Sequence, residues 1–190
     1  LLWVDANMAA LKTDKVMERE LVYSFVPTSS EKYIATAKMK YANRGSFTKF
    51  TTRYRTYARV YLPEGSQFIS VAGSMKADRS AEPGVVDQGV ENGKQWFGTF
   101  ISIEPGKTGE LTWQFYLAPS VVENIKNNNY NLLAQKQLGT VADKLTLELN
   151  FGKNTVSATP NETLDDANNQ KYFYKTDLTV DREVEIKLAN

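Results

Sequence analysis

Tyr54-Arg55-Thr56-Tyr57-Ala58-Arg59-Val60-Tyr61-Leu62-Pro63-Glu64-Gly65-Ser66 decides how this chain is read. The first nine residues alternate, with Thr56, Ala58, Val60 and Leu62 on one side and Arg55, Tyr57, Arg59 and Tyr61 on the other. That period of two, rich in β-branched and aromatic residues, is a strand with one buried face. Pro63 to Ser66 supplies the turn that stops it. Outward from there the pattern repeats. Gln67 to Ala72 resumes a strand, and Lys94 to Ile103 joins Glu110 to Leu117 through Glu104-Pro105-Gly106-Lys107-Thr108-Gly109. Short strands divided by turn chemistry predict an all-β fold, an immunoglobulin-like antiparallel β-sandwich.

Glu18 to Val26 and Lys32 to Tyr41 alternate in the same way on either side of the turn Pro27-Thr28-Ser29-Ser30. Tyr130 to Gln137, Lys144 to Phe151, Lys171 to Val180 and Glu183 to Leu188 read as further strands. The last two are expected to form a hairpin through Asp181-Arg182. Lys76 to Gly93 reads as a long loop or frayed hairpin, and Ser120 to Asn131 as a helix. Ala-rich Asp5 to Lys12 reads as one or two helical turns capped by Asp5. The expected organisation is a single β-sandwich domain over 1–190, with a helical or extended lead-in at 1–16. Inward candidates are Leu21, Tyr23, Phe25, Ala58, Val60, Leu62, Phe100, Trp113, Phe115, Leu145, Leu147, Leu149, Ile186 and Leu188.

The chain has 190 residues, a size at which one core folds without disulfides or a structural metal. It contains no His and no Cys. The commonest general base, the commonest metal ligand and the thiolate nucleophile are therefore all missing. No cofactor and no enzymatic activity are expected. A net charge of +1 points to no polyanionic partner by itself, and no helix-turn-helix or RNA-binding pattern is present, so nucleic acid is not expected. The first residue is Leu, so the chain reads as a fragment of a larger protein, and membrane contact is expected only through a segment outside it.

Three short patterns imitate the serine β-lactamase set: Ser29-Ser30-Glu31-Lys32, Tyr41-Ala42-Asn43 and Lys107-Thr108-Gly109. Their context is wrong, because the nucleophile must open a helix and Ser29 sits in a turn before a strand. Gly106-Lys107-Thr108 resembles the end of a P-loop, but the first glycine of that motif would fall at Ile101. Asp165 and Asp166 are weak calcium candidates in a polar loop that lacks the Gly and distal Glu of an EF-hand, so no metal site is assigned. A Lys–Asn isopeptide bond from Lys12 or Lys15 finds no well-placed Asn in the last strands.

Charge is distributed unevenly. Lys32, Lys38, Lys40, Arg44, Lys49, Arg53, Arg55 and Arg59 occur between Lys32 and Pro63 without one acid. Asp177, Asp181, Glu183 and Glu185 lie near the other end. One reading is cross-strand neutralisation of basic strands by acidic ones. The other is a basic, tyrosine-lined sheet face for an anionic or sugar polymer, with Lys49, Arg53, Arg55, Tyr57, Arg59 and Tyr61 as its residues.

Several segments in order resemble the C-terminal portion of a bacterial family, domain of unknown function 4012. They are Val4-Asp5-Ala6-Asn7-Met8-Ala9-Ala10-Leu11-Lys12-Thr13-Asp14-Lys15, the stretch from Tyr54 to Ser66, Phe97 to Thr108, and Leu132 to Thr140. Asn43-x-Gly45, Leu62-Pro63-x-Gly65 and Pro105-Gly106 look like bacterial immunoglobulin-like surface modules. The resemblance implies an extracytoplasmic structural or interaction module of an envelope protein, with other envelope proteins or cell-wall polymer as partners. It carries over no catalytic residues.

Overall fold

The computed structural model describes residues 1–9, 11–141, 143–162 and 169–190. Along the chain run β1 (Leu2–Asn7), a 3-10 turn (Lys12–Val16), β2 (Met17–Pro27), β3 (Tyr33–Asn43), β4 (Tyr54–Pro63) and β5 (Gln67–Ala72). There follow β6 (Asp87–Glu91), β7 (Lys94–Ile103), β8 (Thr108–Tyr116), α1 (Pro119–Lys126) and β9 (Asn129–Ala134). The chain closes with β10 (Lys144–Asn150), β11 (Thr155–Thr159), β12 (Lys171–Asp177) and β13 (Arg182–Leu188). These strands form three sheets, in the orders β1-β4-β7-β6, β12-β10-β2-β3-β8-β5 and β11-β13-β9.

The six-stranded sheet organises the core. Its register aligns Tyr172, Leu149, Phe25, Ala35, Phe115 and Phe68 in one row across the six strands. At one point on that row the Phe25 ring meets Tyr130 of the three-stranded sheet at 5.4 Å and Phe151 at 5.1 Å. Further along, Phe115 and Trp113 meet Phe97 of the four-stranded sheet at 6.3 and 6.0 Å. One face of the large sheet is thus covered by both smaller sheets, and the buried apolar residues of all three make one cluster. Ring contacts of this kind, edge-on at Phe25 and tilted at Phe97, add to the burial of apolar area.

The mostly-β architecture differs from the expected immunoglobulin-like sandwich. Among the described residues there are three sheets and not two, and β10 pairs with β2 in parallel. The expected final hairpin does not form: β12 pairs with β10, whereas β13 joins β9 and β11. Between them the chain changes sheets. Leu178 is buried and donates its N–H to the Asp143 carbonyl, and Arg182 clamps the Asp177 carbonyl and carboxylate.

The N-terminal helical segment is also corrected. Residues 2–7 are a strand paired in full register with β4, and Asp5 faces inward with Trp3 instead of capping a helix. Alternation of Trp3 and Asp5 with Leu2 and Val4 outweighs the helix propensity of the alanines that follow. The α-helix lies mid-chain, with Pro119 in its first turn. It stops earlier than expected because Asn128 takes a left-handed conformation (φ 62°) that turns the chain into β9. Among the inward candidates only Phe100 lies on an outer face.

Candidate functional site

Strand β4 carries the candidate residues on its outward side. Register places Tyr61 opposite Trp96, Arg59 opposite Gly98, Tyr57 opposite Phe100 and Arg55 opposite Ser102. A Cβ at Gly98 would lie 2.7 Å from the Tyr57 hydroxyl, and one at Gly89 would lie 3.0 Å from the Trp96 indole nitrogen. The two glycines therefore leave room for aromatic rings to lie across the sheet, an arrangement that covers glycine backbone with ring faces. The Arg59 guanidinium sits 4.4 Å from the Trp96 ring and 5.5 Å from the Tyr57 ring.

The charges of this face are already matched. Arg53 and Arg55 both reach Asp78 Oδ2, at 3.0 and 2.7 Å, so their side chains lie on the same side. Arg53 also donates to Glu104, and Arg79 approaches the same carboxylate at 3.5 Å. Arg59 lies 3.9 Å from Glu91, which accepts from the Tyr61 hydroxyl at 3.2 Å. The Tyr57 hydroxyl donates to Asp87. Partial burial, and then the hydrogen bond and charge of Asp87, push the Tyr57 phenol up to about 12, so it stays a neutral donor. Burial would raise the Asp78 carboxyl, but Arg55 and Arg53 outweigh it and hold the group below the usual carboxylate range. Four arginines here face four carboxylates.

Lys49 is not on this face. It lies in the 44–53 loop with its ammonium 5.0 Å from the ring of Phe50. The remaining bases of the Lys32–Pro63 stretch are dispersed as well. Lys38 and Lys40 sit on the outer side of the six-stranded sheet beside Glu110 (4.0 Å) and Glu20 (3.2 Å), and Arg44 pairs with Glu18 at 2.9 Å. The acids near the C-terminus are not the partners of the basic strands in any of these pairs. Neighbouring segments supply them.

The serine-lactamase imitation is pulled apart. Ser29 lies in the β2–β3 turn, and Asn43 ends β3, so the two sit at opposite ends of an eleven-residue strand, roughly 30 Å apart. Lys107 lies in the β7–β8 turn and accepts a backbone hydrogen bond from Asn43. Asp165 and Asp166 lie outside the described residues. Among the described residues no group of three or more acids, His or Cys is placed to hold a metal ion, and no helix is long and apolar enough to cross a membrane.

A second cluster, behind β4, escapes the sequence reading. Asp5 of β1 and Arg19 of β2 pair at 3.1 Å with both side chains 1% exposed. Asp5 Oδ1 accepts from the Tyr41 hydroxyl (2.7 Å) and from Thr56 (3.1 Å), and Trp3 donates to Tyr41 (3.0 Å). Arg19 Nη2 donates to Asp14 (2.6 Å) and to the Tyr54 hydroxyl (2.8 Å), while its Nη1 has no partner among the described residues. The Asp5 backbone exchanges two hydrogen bonds with the Gln137 side chain. The clasp thereby joins the four-stranded sheet, the six-stranded sheet and the segment around Gln137 that follows β9. Burial pushes the Asp5 carboxyl up against the pull of Arg19. Burial, partly offset by Arg19 and reinforced by the charge of Asp5, raises Asp143 to about 6. The available signal was Asp5 within the alternating run Leu2-Trp3-Val4-Asp5-Ala6, where an inward acid demands a buried cation.

No protein-family profile and no curated protein matches the chain. Solved structures with a loose likeness include a leukotriene A4 hydrolase from Saccharomyces cerevisiae, at 7% identity and a TM-score of 0.47, over 96% of this chain and 31% of that one. Another is an M1 zinc metallopeptidase from Deinococcus radiodurans, at 11% identity and a TM-score of 0.41, over 96% of this chain and 44% of that one. The chain spans less than half the length of these proteins, and a likeness this loose carries nothing about activity.

Proposed function

We propose that this chain is a non-catalytic, extracytoplasmic structural or interaction module of a bacterial cell-envelope protein, with any membrane-spanning segment outside it. The observation that supports this reading is how its charge is used. Arg55 and Arg59 of β4, with Arg53 just before it, are engaged by Asp78, Glu91 and Glu104, and the buried charges hold sheets together. The groups that imitate a catalytic serine set are spread over different ends of the fold. Bacterial envelope placement rests on the sequence resemblance alone.

A second reading, a binding module for an anionic or sugar polymer, is favoured by one observation: Tyr57 and Trp96 lie over glycines on an open sheet face with Arg59 between them. Calorimetric titration with poly(glycerol phosphate) and with an acidic polysaccharide at low salt separates the two. On the first reading no binding occurs at this face, and R55E/R59E lowers Tm by about 2–4 °C because carboxylates then face Asp78 and Glu91. Salt-sensitive binding that R55E/R59E removes with Tm unchanged would replace the first reading by the second.

A further inference from the structure

One end of the molecule holds two phenylalanines out in water. Phe47 is 65% exposed and Phe50 is 52% exposed, and Met8 and Leu11 lie exposed in the loop after β1. The two loops are joined by a hydrogen bond from the Lys12 N–H to the Phe50 carbonyl (2.9 Å). This is a wired turn. Thr48 Oγ1 accepts from the N–H groups of Phe50 (3.1 Å) and Thr51 (3.0 Å), and Thr48 N–H donates to the Thr51 carbonyl (2.9 Å). Thr51 donates to the Ser46 carbonyl, Thr52 N–H to Thr13 Oγ1 and Asn43 Nδ2 to the Thr52 carbonyl. The polar groups of the segment fix its shape while its two largest apolar side chains face outward. Exposed apolar groups held in this way mark an interaction surface.

Lys12 and Lys49 stand beside Phe50, and Lys15 lies in the same 3-10 turn as Lys12; all three are exposed and none has a carboxylate partner among the described residues. The acids nearest in sequence are spent, Asp14 on Arg19 and Asn7, and Glu18 on Arg44. The ammonium groups of Lys12 and Lys49 lie 5.6 and 5.0 Å from the Phe50 ring. Unpaired lysines are depleted in protein–protein interfaces. Two copies meeting tip to tip would bring these lysines together with no acid between them. Phenylalanines ringed by lysines do fit the boundary of an anionic bilayer, where rings enter the acyl region and ammonium groups stay at the phosphates.

We propose that this tip, formed by the 44–52 loop with Met8, Leu11 and the 3-10 turn, docks on a membrane surface of anionic lipid. The proposal goes beyond the module reading, since it assigns this chain a peripheral lipid contact of its own. The test is co-sedimentation of the full chain with vesicles of phosphatidylcholine, or of equimolar phosphatidylcholine and phosphatidylglycerol, beside light scattering and a thermal melt. Binding to the anionic vesicles, weakening as salt rises, is expected. F47S/F50S should weaken it about tenfold or more, and K12E/K15E/K49E should reduce it to the phosphatidylcholine level, both with Tm unchanged. No binding at low salt overturns the proposal. So does binding that F47S/F50S leaves intact, which would mark a soluble-polyanion site, and so does a dimer that F47S/F50S dissolves.

Discussion

The two sides of β4 carry charge clusters built from the same kinds of group and to similar distances. Behind the strand, Arg19 meets Asp5 at 3.1 Å with both side chains 1% exposed. In front, Arg55 meets Asp78 at 2.7 Å with the side chains 33% and 27% exposed. The shorter contact is the weaker constraint. In the outer cluster water solvates each partner after a break, and Asp78 retains Arg53. In the inner one a broken pair leaves a charge in apolar surroundings with nowhere to go. Distance ranks neither; burial does.

The sharpest way to break the comparison is Arg19→Ala. It strands Asp5 inside the core, removes the cation beside Asp14 and Asp143, and leaves the Tyr54 hydroxyl without its partner. We expect a loss of about 3–5 kcal/mol, or failure to fold, read from urea unfolding. A loss under about 1 kcal/mol would mean that the clasp is no stronger than the outer face.

That clasp also shows where the sequence stopped being legible. Strands β2, β3, β4, β8 and β10 were readable because their apolar side chains recur with a period of two on a buried face, whereas β7 is buried in consecutive residues and was marked by its apolar content and the turn after it. Which strand joins which sheet was not readable. β12 and β13 look like a hairpin by spacing alone, and only the burial of Leu178 and the grip of Arg182 on Asp177 show the chain crossing between sheets. β11, with one buried residue, gives no usable alternation. On the candidate face, the alternation of Arg55, Tyr57, Arg59 and Tyr61 correctly gave a shared side. Their neutralisation by Asp78, Asp87, Glu91 and Glu104 depends on the 73–86 loop, on β6 and on the β7–β8 turn, whose polar residues carry no periodic signal.

A smaller effect sharpens the inner half of the contrast. The Asp143 carboxyl lies near 6, above the ordinary 3.8, so the folded chain binds this proton more tightly than the unfolded chain does. Its favourable contribution is complete below about pH 4 and is lost as pH rises through about 6. Asp143→Asn should therefore raise stability at pH 7, by about 2 kcal/mol, and flatten the part of the profile between pH 4 and 6. Half-buried Asp177 runs the other way. Thr179, and then Arg182, holds its carboxyl at about 2, so its contribution is present at neutral pH and lost as pH falls below 4. Denaturation profiles of D143N and the parent chain would separate the two. An unchanged slope between pH 4 and 6 would show that Asp143 does not titrate there.

The smallest expected effect belongs to Arg55→Ala. Arg55 is one of two arginines on Asp78 Oδ2, and Arg53 remains 3.0 Å from that oxygen with a second anchor on Glu104. Removing Arg55 leaves no carboxylate without a cation and buries no new charge. A partly exposed pair of this kind is worth about 0.2–1 kcal/mol, and its share falls as salt rises. The expected melt is lower by no more than roughly 4 °C. A double-mutant cycle of R55A with D78A should give a coupling inside the same range. A coupling of several kcal/mol would place the outer lattice on the same footing as the Arg19 clasp. It would also mean that the outward arginines of β4 hold the 73–86 loop against the sheet as firmly as the inward charges hold the sheets to each other.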